Sequence, residues 1–173
     1  MKIVIVFDTV HGSTGEVAAA IAEEARSSND DVEMIDLRTQ TTLNLTGDMM
    51  FIGSPTRSNR MTRRMDEFIK YFVTGPWRGR HIVAFDTVGP LPKNPEKRKA
   101  RLNKIGNTKR SAAGTIQEAL KLRGLSPVPD QMHLAVTGLW GPLASDARDM
   151  ARELARIHIE DARKVLKRDI LIA

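Results

Sequence analysis

The sequence contains no cysteine among its 173 residues, and this absence excludes several kinds of chemistry. Disulfides, thiolate catalysis and cysteine-ligated zinc or iron–sulfur sites all require a thiol. The four histidines are far apart in the sequence and form no HxxxH pair, so we expect none of them to bind a metal. The sequence therefore predicts neither a disulfide framework nor a metal site.

Long apolar runs are also missing from the sequence. No run approaches the roughly 20 residues that a membrane span requires. The N-terminal stretch MKIVIVF is too short for a signal-peptide core, and no cleavage site follows it. We therefore expect this stretch to be the first strand of a cytoplasmic protein with no membrane span.

Positive charge is concentrated in one part of the chain. Residues 93–110 contain eight Lys or Arg and one Glu, a net charge of +7, whereas the whole chain carries +6. The rest of the chain is therefore nearly neutral, and the basic residues have the character of an insertion at about 90–110. Two interpretations remain open: a solvated loop that aids solubility, or a docking surface for an acidic partner or a nucleic acid.

Apolar runs alternate with segments of helical periodicity along the chain. The runs predict strands at residues 2–7, 32–36, 49–53, 81–86 and 132–138. The periodic segments predict helices at residues 14–28, 61–72, 111–122 and from about 145 onward. Alternating strands and helices indicate an α/β fold, with a parallel sheet and helices on both faces. The link over residues 37–47 is barely long enough for a parallel crossover, so any helix in it must be short.

Loops rich in Gly, Pro, Ser and Thr follow four of the five predicted strands. They cover residues 9–14, 54–60, 87–90 and 138–142. The carboxyl ends of parallel strands meet at one edge of the sheet, where open α/β sheets bind their ligands. Four such loops at the same edge favour a small-molecule site.

The first of these loops has the most specific chemistry. In FDTVHGSTGEVA, residues 7–18, a strand passes into a helix through Gly12, and Thr9, Ser13 and Thr14 add hydroxyl groups. A helix N-terminus attracts phosphate because its N–H groups are unpaired and its dipole is positive there. The loop matches neither GxxxxGK[ST] nor GxGxxG, which disfavours Walker-type and dinucleotide sites. A phosphate monoester held by amides and hydroxyls remains, beside the simpler interpretation that Ser13 and Thr14 only cap the helix.

These loops resemble the FMN site of the flavodoxin-like family. FDTVHGSTGEVA is similar to the family's phosphate loop, FIGSPTRSNRM to its second loop and FDTVGP to its third, in the order that the family requires. GLWGPL, before the last helix, resembles the single-domain members. The resemblance implies one flavodoxin-like domain over residues 1–173, with an open five-stranded parallel sheet of order 2-1-3-4-5. It also implies FMN as the cofactor, with no side chain needed as an acid, base or nucleophile.

The resemblance assigns flavin contacts to individual residues. The residues implied to hold the ribityl phosphate are Thr9, Val10, His11, Gly12, Ser13 and Thr14. Those implied to lie along one side of the isoalloxazine ring are Ser54, Pro55, Thr56 and Arg57. Those implied to lie near its pyrimidine edge are Thr87, Val88 and Gly89.

The second loop departs from the family pattern. It offers Arg57 and Arg60, with Arg63 and Arg64 just beyond, and contains no Tyr or Trp to stack on a flavin. An arginine can stack on a planar ring and can also pair with phosphate. Elsewhere in the loops, Trp140 and His11 are the nearest candidates for a ring contact.

Two functions of different classes follow from the sequence. The first is an FMN-binding redox protein that carries electrons between partners or to a small acceptor, with an acidic, ferredoxin-like partner at residues 93–110. A variant of it is an FMN-dependent oxidoreductase of the quinone reductase or protoporphyrinogen oxidase type. The second is a flavodoxin-fold binding module without flavin, which uses residues 93–110 for nucleic acid or an acidic protein.

Two observations weigh against competing interpretations. The basic segment has no aromatic residue on which bases could stack, which disfavours nucleic acid. A phospho-acceptor receiver domain needs an Asp at the end of the third strand, and this chain has Gly53 and Ser54 there.

Overall fold

The computed structural model describes residues 1–41, 43–73 and 75–173 as an α/β fold. Within these residues, five parallel strands form one sheet in the order β2-β1-β3-β4-β5. The strands are β1 (Lys2–Phe7), β2 (Asp31–Asp36), β3 (Met49–Pro55), β4 (His81–Val88) and β5 (Met132–Ala135). The predicted fold class and strand order are thus confirmed. Strand β5 ends earlier than predicted because Val136 pairs with Leu143 of the following loop.

The described residues also form five α-helices and a short 3₁₀ helix at Gly75–Trp77. The α-helices are α1 (Ser13–Ser27), α2 (Arg63–Phe72), α3 (Pro95–Ile105), α4 (Ala112–Leu122) and α5 (Ala147–Ile172). Helix α3 lies in the basic segment and was not predicted, because its sequence has no clear apolar periodicity. Its start does carry a local signal, since the Asn94 side chain accepts a hydrogen bond from the Lys97 amide and Pro95 occupies the first helical position.

The alternation of side chains along the strands divides the core into two layers. On β1, Ile3 and Ile5 pack on the face covered by α1 and α5. Val4 and Val6 pack on the opposite face, against α2 and α4. Each of these side chains is fully buried, which contributes roughly 1.5–3 kcal/mol apiece. The two layers hold the sheet between helices, so that the carboxyl ends of the strands form one supported edge.

The link between β2 and β3 contains neither helix nor strand in residues 37–41 and 43–47. Thr42, which the prediction for this link also covered, lies outside the described residues. No helix in the described part of the chain is both long and apolar enough to cross a bilayer.

Candidate functional site

A pocket of about 330 Å³ opens at the carboxyl edge of the sheet. All four loops that the sequence placed at this edge contribute to its wall. The lining residues are Val10, His11, Ser13, Thr14, Pro55, Thr56, Arg57, Ser58, Thr87, Gly89, Val136, Leu139 and Trp140. Neighbouring parallel strands bring together loops that are up to 130 residues apart in the chain.

The first loop turns sharply into α1 at Gly12, whose φ of +96° is in the left-handed region that favours glycine. The Thr9 hydroxyl accepts hydrogen bonds from the amides of Gly12 and Gly15, at 3.1 and 3.2 Å. Thr9 therefore caps the helix start, and the alternative that Ser13 and Thr14 do so is not observed. Among the described residues, no protein group accepts a hydrogen bond from four loop amides, those of Val10, His11, Ser13 and Thr14. This end of α1 thus presents several donors to an anion.

Hydroxyl groups from the start of α1, from β4 and from the residue after β3 form the floor of the pocket. The hydroxyls of Thr14 and Thr87 are 2.9 Å apart and join the first loop to β4. The Thr56 amide donates to the Thr87 carbonyl, and its hydroxyl accepts a hydrogen bond from the Ala112 amide at the start of α4. Because these bonds connect different elements, the floor is fixed by the fold rather than by any one loop.

A buried ion pair lies beneath this floor. Asp86, on β4, accepts hydrogen bonds from the Thr56 hydroxyl and the Ala113 amide, and its other oxygen lies 2.6 Å from Nδ1 of His133 on β5. The Nε2 atom of His133 lies 2.8 Å from the Gly106 carbonyl. Both ring nitrogens therefore face acceptors, which requires the doubly protonated imidazolium.

The pKa of His133 agrees with this geometry. Burial lowers the pKa, but the hydrogen bond and the charge of Asp86, together with the Gly106 carbonyl, outweigh burial and raise the pKa above its ordinary value. The positive charge of His133 neutralises the Asp86 carboxylate under the pocket. The hydrogen bonds of the two side chains connect β4, β5, α4 and the end of α3.

The second loop is a tight hairpin at the side of the pocket. Arg57 and Arg60 exchange backbone hydrogen bonds of 2.8 and 3.1 Å. Ser58 and Asn59 form the turn with φ of +49° and +63°, a conformation that two-residue hairpins favour. The hairpin directs the Arg57 side chain across the mouth of the pocket, where its guanidinium carbon lies 4.4 Å from the centre of the Trp140 ring.

Nine of the thirteen residues implied to contact flavin line the pocket, and four do not. Thr9 and Gly12 shape the first loop instead of facing the pocket. Ser54 is fully buried, because its hydroxyl donates to the Pro55 carbonyl and accepts from the Thr62 amide at the start of α2. Val88 packs in the interior. The sequence pattern marks the loops correctly but does not show which side chains turn away.

Arg60, Arg63 and Arg64 do not line the pocket. Arg63 pairs with Glu67 on the outer face of α2, and Arg64 reaches towards the Leu37 carbonyl. Of the arginines that the sequence placed near the flavin, Arg57 is thus the one that the structure brings to the site. Its positive charge is not matched by a carboxylate in the pocket wall, since the described lining residues include no Asp or Glu.

Sequence reasoning assigned no role to Ser58, Val136 or Leu139, and it named Trp140 as a candidate for a ring contact. The loop after β5 had been recognised as part of the ligand edge, which was the available signal for Leu139 and Trp140. In the structure the Trp140 ring contacts both Arg57 and His11, with ring centres of Trp140 and His11 4.5 Å apart. The rim of the pocket is therefore aromatic and cationic.

Asp8 follows β1 at the same edge, but it has a structural role. Its side chain is fully buried, pairs with Arg38 at 2.8 Å and accepts a hydrogen bond from the Thr62 hydroxyl. A carboxylate held in this way is not free to accept a phosphoryl group. Within the described part of the chain, no three His, Asp or Glu side chains come close enough together to hold a metal ion.

Comparisons with known proteins agree with the architecture. The family model described as the flavodoxin domain matches residues 4–132. No curated protein matches the chain. A flavodoxin from the domain Archaea has a TM-score of 0.70 at 18% identity, over 94% of this chain and 99% of that one. Flavodoxin 1 from Bacillus cereus has a TM-score of 0.63 at 17% identity, over 92% of this chain and 98% of that one.

A larger protein contains a similar fold. The flavodiiron protein from Giardia intestinalis has a TM-score of 0.70 at 17% identity, over 96% of this chain but 37% of that one. At these identities the solved structures support the fold alone.

The residues present at the site fit FMN, which has a phosphate monoester at one end and a flat ring at the other. The unpaired amides of the first loop suit the phosphate, and the planar guanidinium of Arg57 and the partly exposed Trp140 ring suit a flat ring. The pocket volume lies within the usual range for ligand sites. Because the family model matches most of the chain, this protein belongs to the flavodoxin family, whose cofactor is FMN.

Proposed function

We propose that this chain binds FMN at the carboxyl edge of the sheet and carries electrons between partner proteins or to a small acceptor. The observation that carries the proposal is the first loop, whose unpaired amides surround the positive end of α1 and face a pocket bounded by all four loops. When bound, FMN supplies the electron chemistry, whereas the protein supplies binding, orientation and electrostatics.

Each part of the first loop has a separate task in this proposal. The Ser13 hydroxyl lines the pocket, and no hydrogen-bond partner for it occurs among the described residues, so it is available to the phosphate. The Thr14 hydroxyl is bonded to Thr87, so Thr14 offers its amide to the phosphate and fixes the loop to β4. Arg57 adds positive charge at the mouth, which favours an anionic ligand.

The basic segment supports an acidic redox partner. On α3, Arg98 is buried, and Leu102 and Ile105 are half-buried on the same face. Lys97, Arg101 and Lys104 are exposed and share a different face, because they are spaced by four and three residues.

The basic segment is also joined directly to the pocket wall. Gly89 lines the pocket, and the Leu91 amide donates to the carbonyl of Val136, another lining residue. A ferredoxin-like partner with acidic surface residues would thus dock on α3 close to the flavin site.

A titration with FMN tests the proposal. Adding FMN to the protein is expected to quench flavin fluorescence, and Ser13→Ala is expected to weaken FMN binding by about tenfold or more, because a hydrogen bond to a charged group is lost. Thr14→Ala is expected to weaken it as well, by loosening the loop. Ser13→Ala should not change riboflavin binding, since riboflavin has no phosphate.

Ser27→Ala is the matched control, since Ser27 lies at the other end of α1 and bonds only to the Glu24 carbonyl. It should leave FMN binding unchanged. If the unsubstituted protein does not quench FMN fluorescence, the proposed function is wrong.

A further inference from the structure

The exposed apolar and aromatic side chains of this protein gather at two opposite edges of the sheet. At the carboxyl edge, Val10, Leu139 and Trp140 surround the pocket described above. A second group lies at the amino edge, where the strands begin, and none of its members lines that pocket, so flavin binding does not account for them. Its members are Tyr71, Phe72, Leu122, Val165, Ile170, Leu171 and Ile172, of which the last three are 77%, 85% and 85% exposed.

The topology explains why these side chains meet. In a parallel sheet the helix that follows a strand runs back along it, so α2, α4 and α5 all end at the amino edge. One cavity there is lined by Phe72 of α2 and by Arg80, and a second is lined by Arg80, Arg78 and Ile170 of α5. Just beyond the end of α4, a Cβ atom on Gly124 would lie 3.5 Å from Nη2 of Arg78. The three helix ends therefore form one continuous surface, which we call the amino-edge surface.

The amino-edge surface is also basic. Arg80 pairs with Asp48 at 3.5 Å. Asp169 lies close by, since it lines the same cavity as Arg78 and Arg80. Five further exposed cations on this surface have no carboxylate within 4.0 Å among the described residues: Lys70, Arg78, Arg123, Lys167 and Arg168. Positive charge is therefore in excess beside the exposed apolar groups.

Apolar side chains interspersed with cations match the interface of an anionic lipid bilayer. The apolar groups suit the boundary of the acyl chains, and the cations suit the negative headgroups. Long basic side chains also keep their charge at headgroup level while their stems contact apolar surface. A second copy of the chain docked on the same surface would bring like charges together, which repels. Charge thus favours a lipid surface over self-association.

We propose that the amino-edge surface binds the surface of an anionic membrane, with the exposed end of α5 inserted among the lipid headgroups. The flavin pocket and α3 follow the carboxyl ends of the strands, so they face away from the membrane and stay open to a partner. The proposal does not rest on the proposed function, because none of its residues lines the flavin pocket.

Co-sedimentation with lipid vesicles tests the proposal. The protein is expected to bind vesicles of phosphatidylcholine and phosphatidylglycerol in equal parts about tenfold more tightly than vesicles of phosphatidylcholine alone. The double substitution Leu171→Ser and Ile172→Ser is expected to weaken this binding by about tenfold or more, because less apolar surface enters the bilayer. Lys167→Gln and Arg168→Gln together should weaken it by a similar factor at low salt and by less at high salt.

Ile157→Ser is the matched control for the apolar substitutions. Ile157 is also an exposed aliphatic residue of α5, but it lies in the middle of the helix, away from the amino edge. This variant should bind vesicles like the unsubstituted protein. Because all the substituted side chains are exposed, the melting temperatures of the variants are expected to stay close to that of the unsubstituted protein, which excludes a loss of folding.

Three results would overturn the proposal. The first is a Leu171→Ser and Ile172→Ser variant that binds anionic vesicles as tightly as the unsubstituted protein. The second is a loss of binding when Lys97, Arg101 and Lys104 of α3 are replaced by Glu, with no loss in the α5 variants, since the basic segment would then be the lipid-binding surface. The third is a dimer on size-exclusion chromatography without lipid that the double α5 substitution converts to a monomer, since the surface would then be an interface between copies.

Discussion

At the scale of single residues, His133 makes stability depend on pH. Its imidazolium donates to Asp86 and to the Gly106 carbonyl, and its pKa is raised. The stabilisation is therefore complete below about pH 6.5, the ordinary histidine value, and is lost as the pH rises through the raised pKa. We expect the free energy of unfolding to fall by about 1–3 kcal/mol above pH 6.5, and His133→Gln to remove this slope.

Urea denaturation at a series of pH values measures this effect. The pKa values of His81 and His158 are lowered, mainly by burial, so these residues titrate below the window in which His133 acts. A slope above pH 6.5 that persists in His133→Gln would contradict the assignment.

At the scale of elements, α3 is held by an ion pair more than by apolar packing. The Arg98 guanidinium is almost fully buried, donates to the Asp146 carboxylate at 2.8 Å and also donates to the Pro92 and Lys93 carbonyls. Arg98→Met leaves these acceptors without a donor, so we expect a loss of about 2–3 kcal/mol. Hydrogen exchange measures this effect. In Arg98→Met, the exchange rate of the α3 amides should rise relative to the unsubstituted protein, and should rise more than that of the α4 amides.

Arg101→Met is the control for this substitution, since Arg101 lies on the same helix and is exposed. It should change stability by less than about 0.5 kcal/mol. Equal effects of the two substitutions would show that the Arg98 ion pair does not hold the helix.

At the scale of the whole molecule, the positive charge of α3 is expected to steer an acidic partner. Replacing Lys97, Arg101 and Lys104 by Glu should lower the rate of electron transfer to an acidic ferredoxin by about tenfold or more at low salt, and should flatten its salt dependence. Stopped-flow absorbance measures the rate, and FMN binding should be unchanged.

The control for electrostatic steering replaces three basic residues of α5 by Glu, which changes the net charge by the same amount as the α3 substitutions. Lys164, Lys167 and Arg168 are exposed near the C-terminal end of that helix, which packs beside the start of β4 at the opposite edge of the sheet. If both triple substitutions slow the transfer equally, net charge and not the α3 surface is responsible.

Much of the fold could be predicted because its signals are local. The continuous apolar runs mark buried strands such as β3, and the spacing of Val17, Ile21 and Ala25 marks the inner face of α1. Helix α3 was missed for a physical reason. The residue that α3 buries completely is the charged Arg98, and its partner Asp146 is 48 positions away in the chain. The helix therefore has no apolar periodicity from which it could be predicted.

The candidate site divides in the same way. The sequence by itself determined the chemistry of the first loop, because a strand, a left-handed glycine and a helix start are neighbours in the chain and together create unpaired amides. Only the tertiary structure decided which distant side chains join it. Trp140 meets Arg57, and Asp86 meets His133, because parallel strands bring their carboxyl ends to one edge, and no local pattern in the sequence records a contact of that kind.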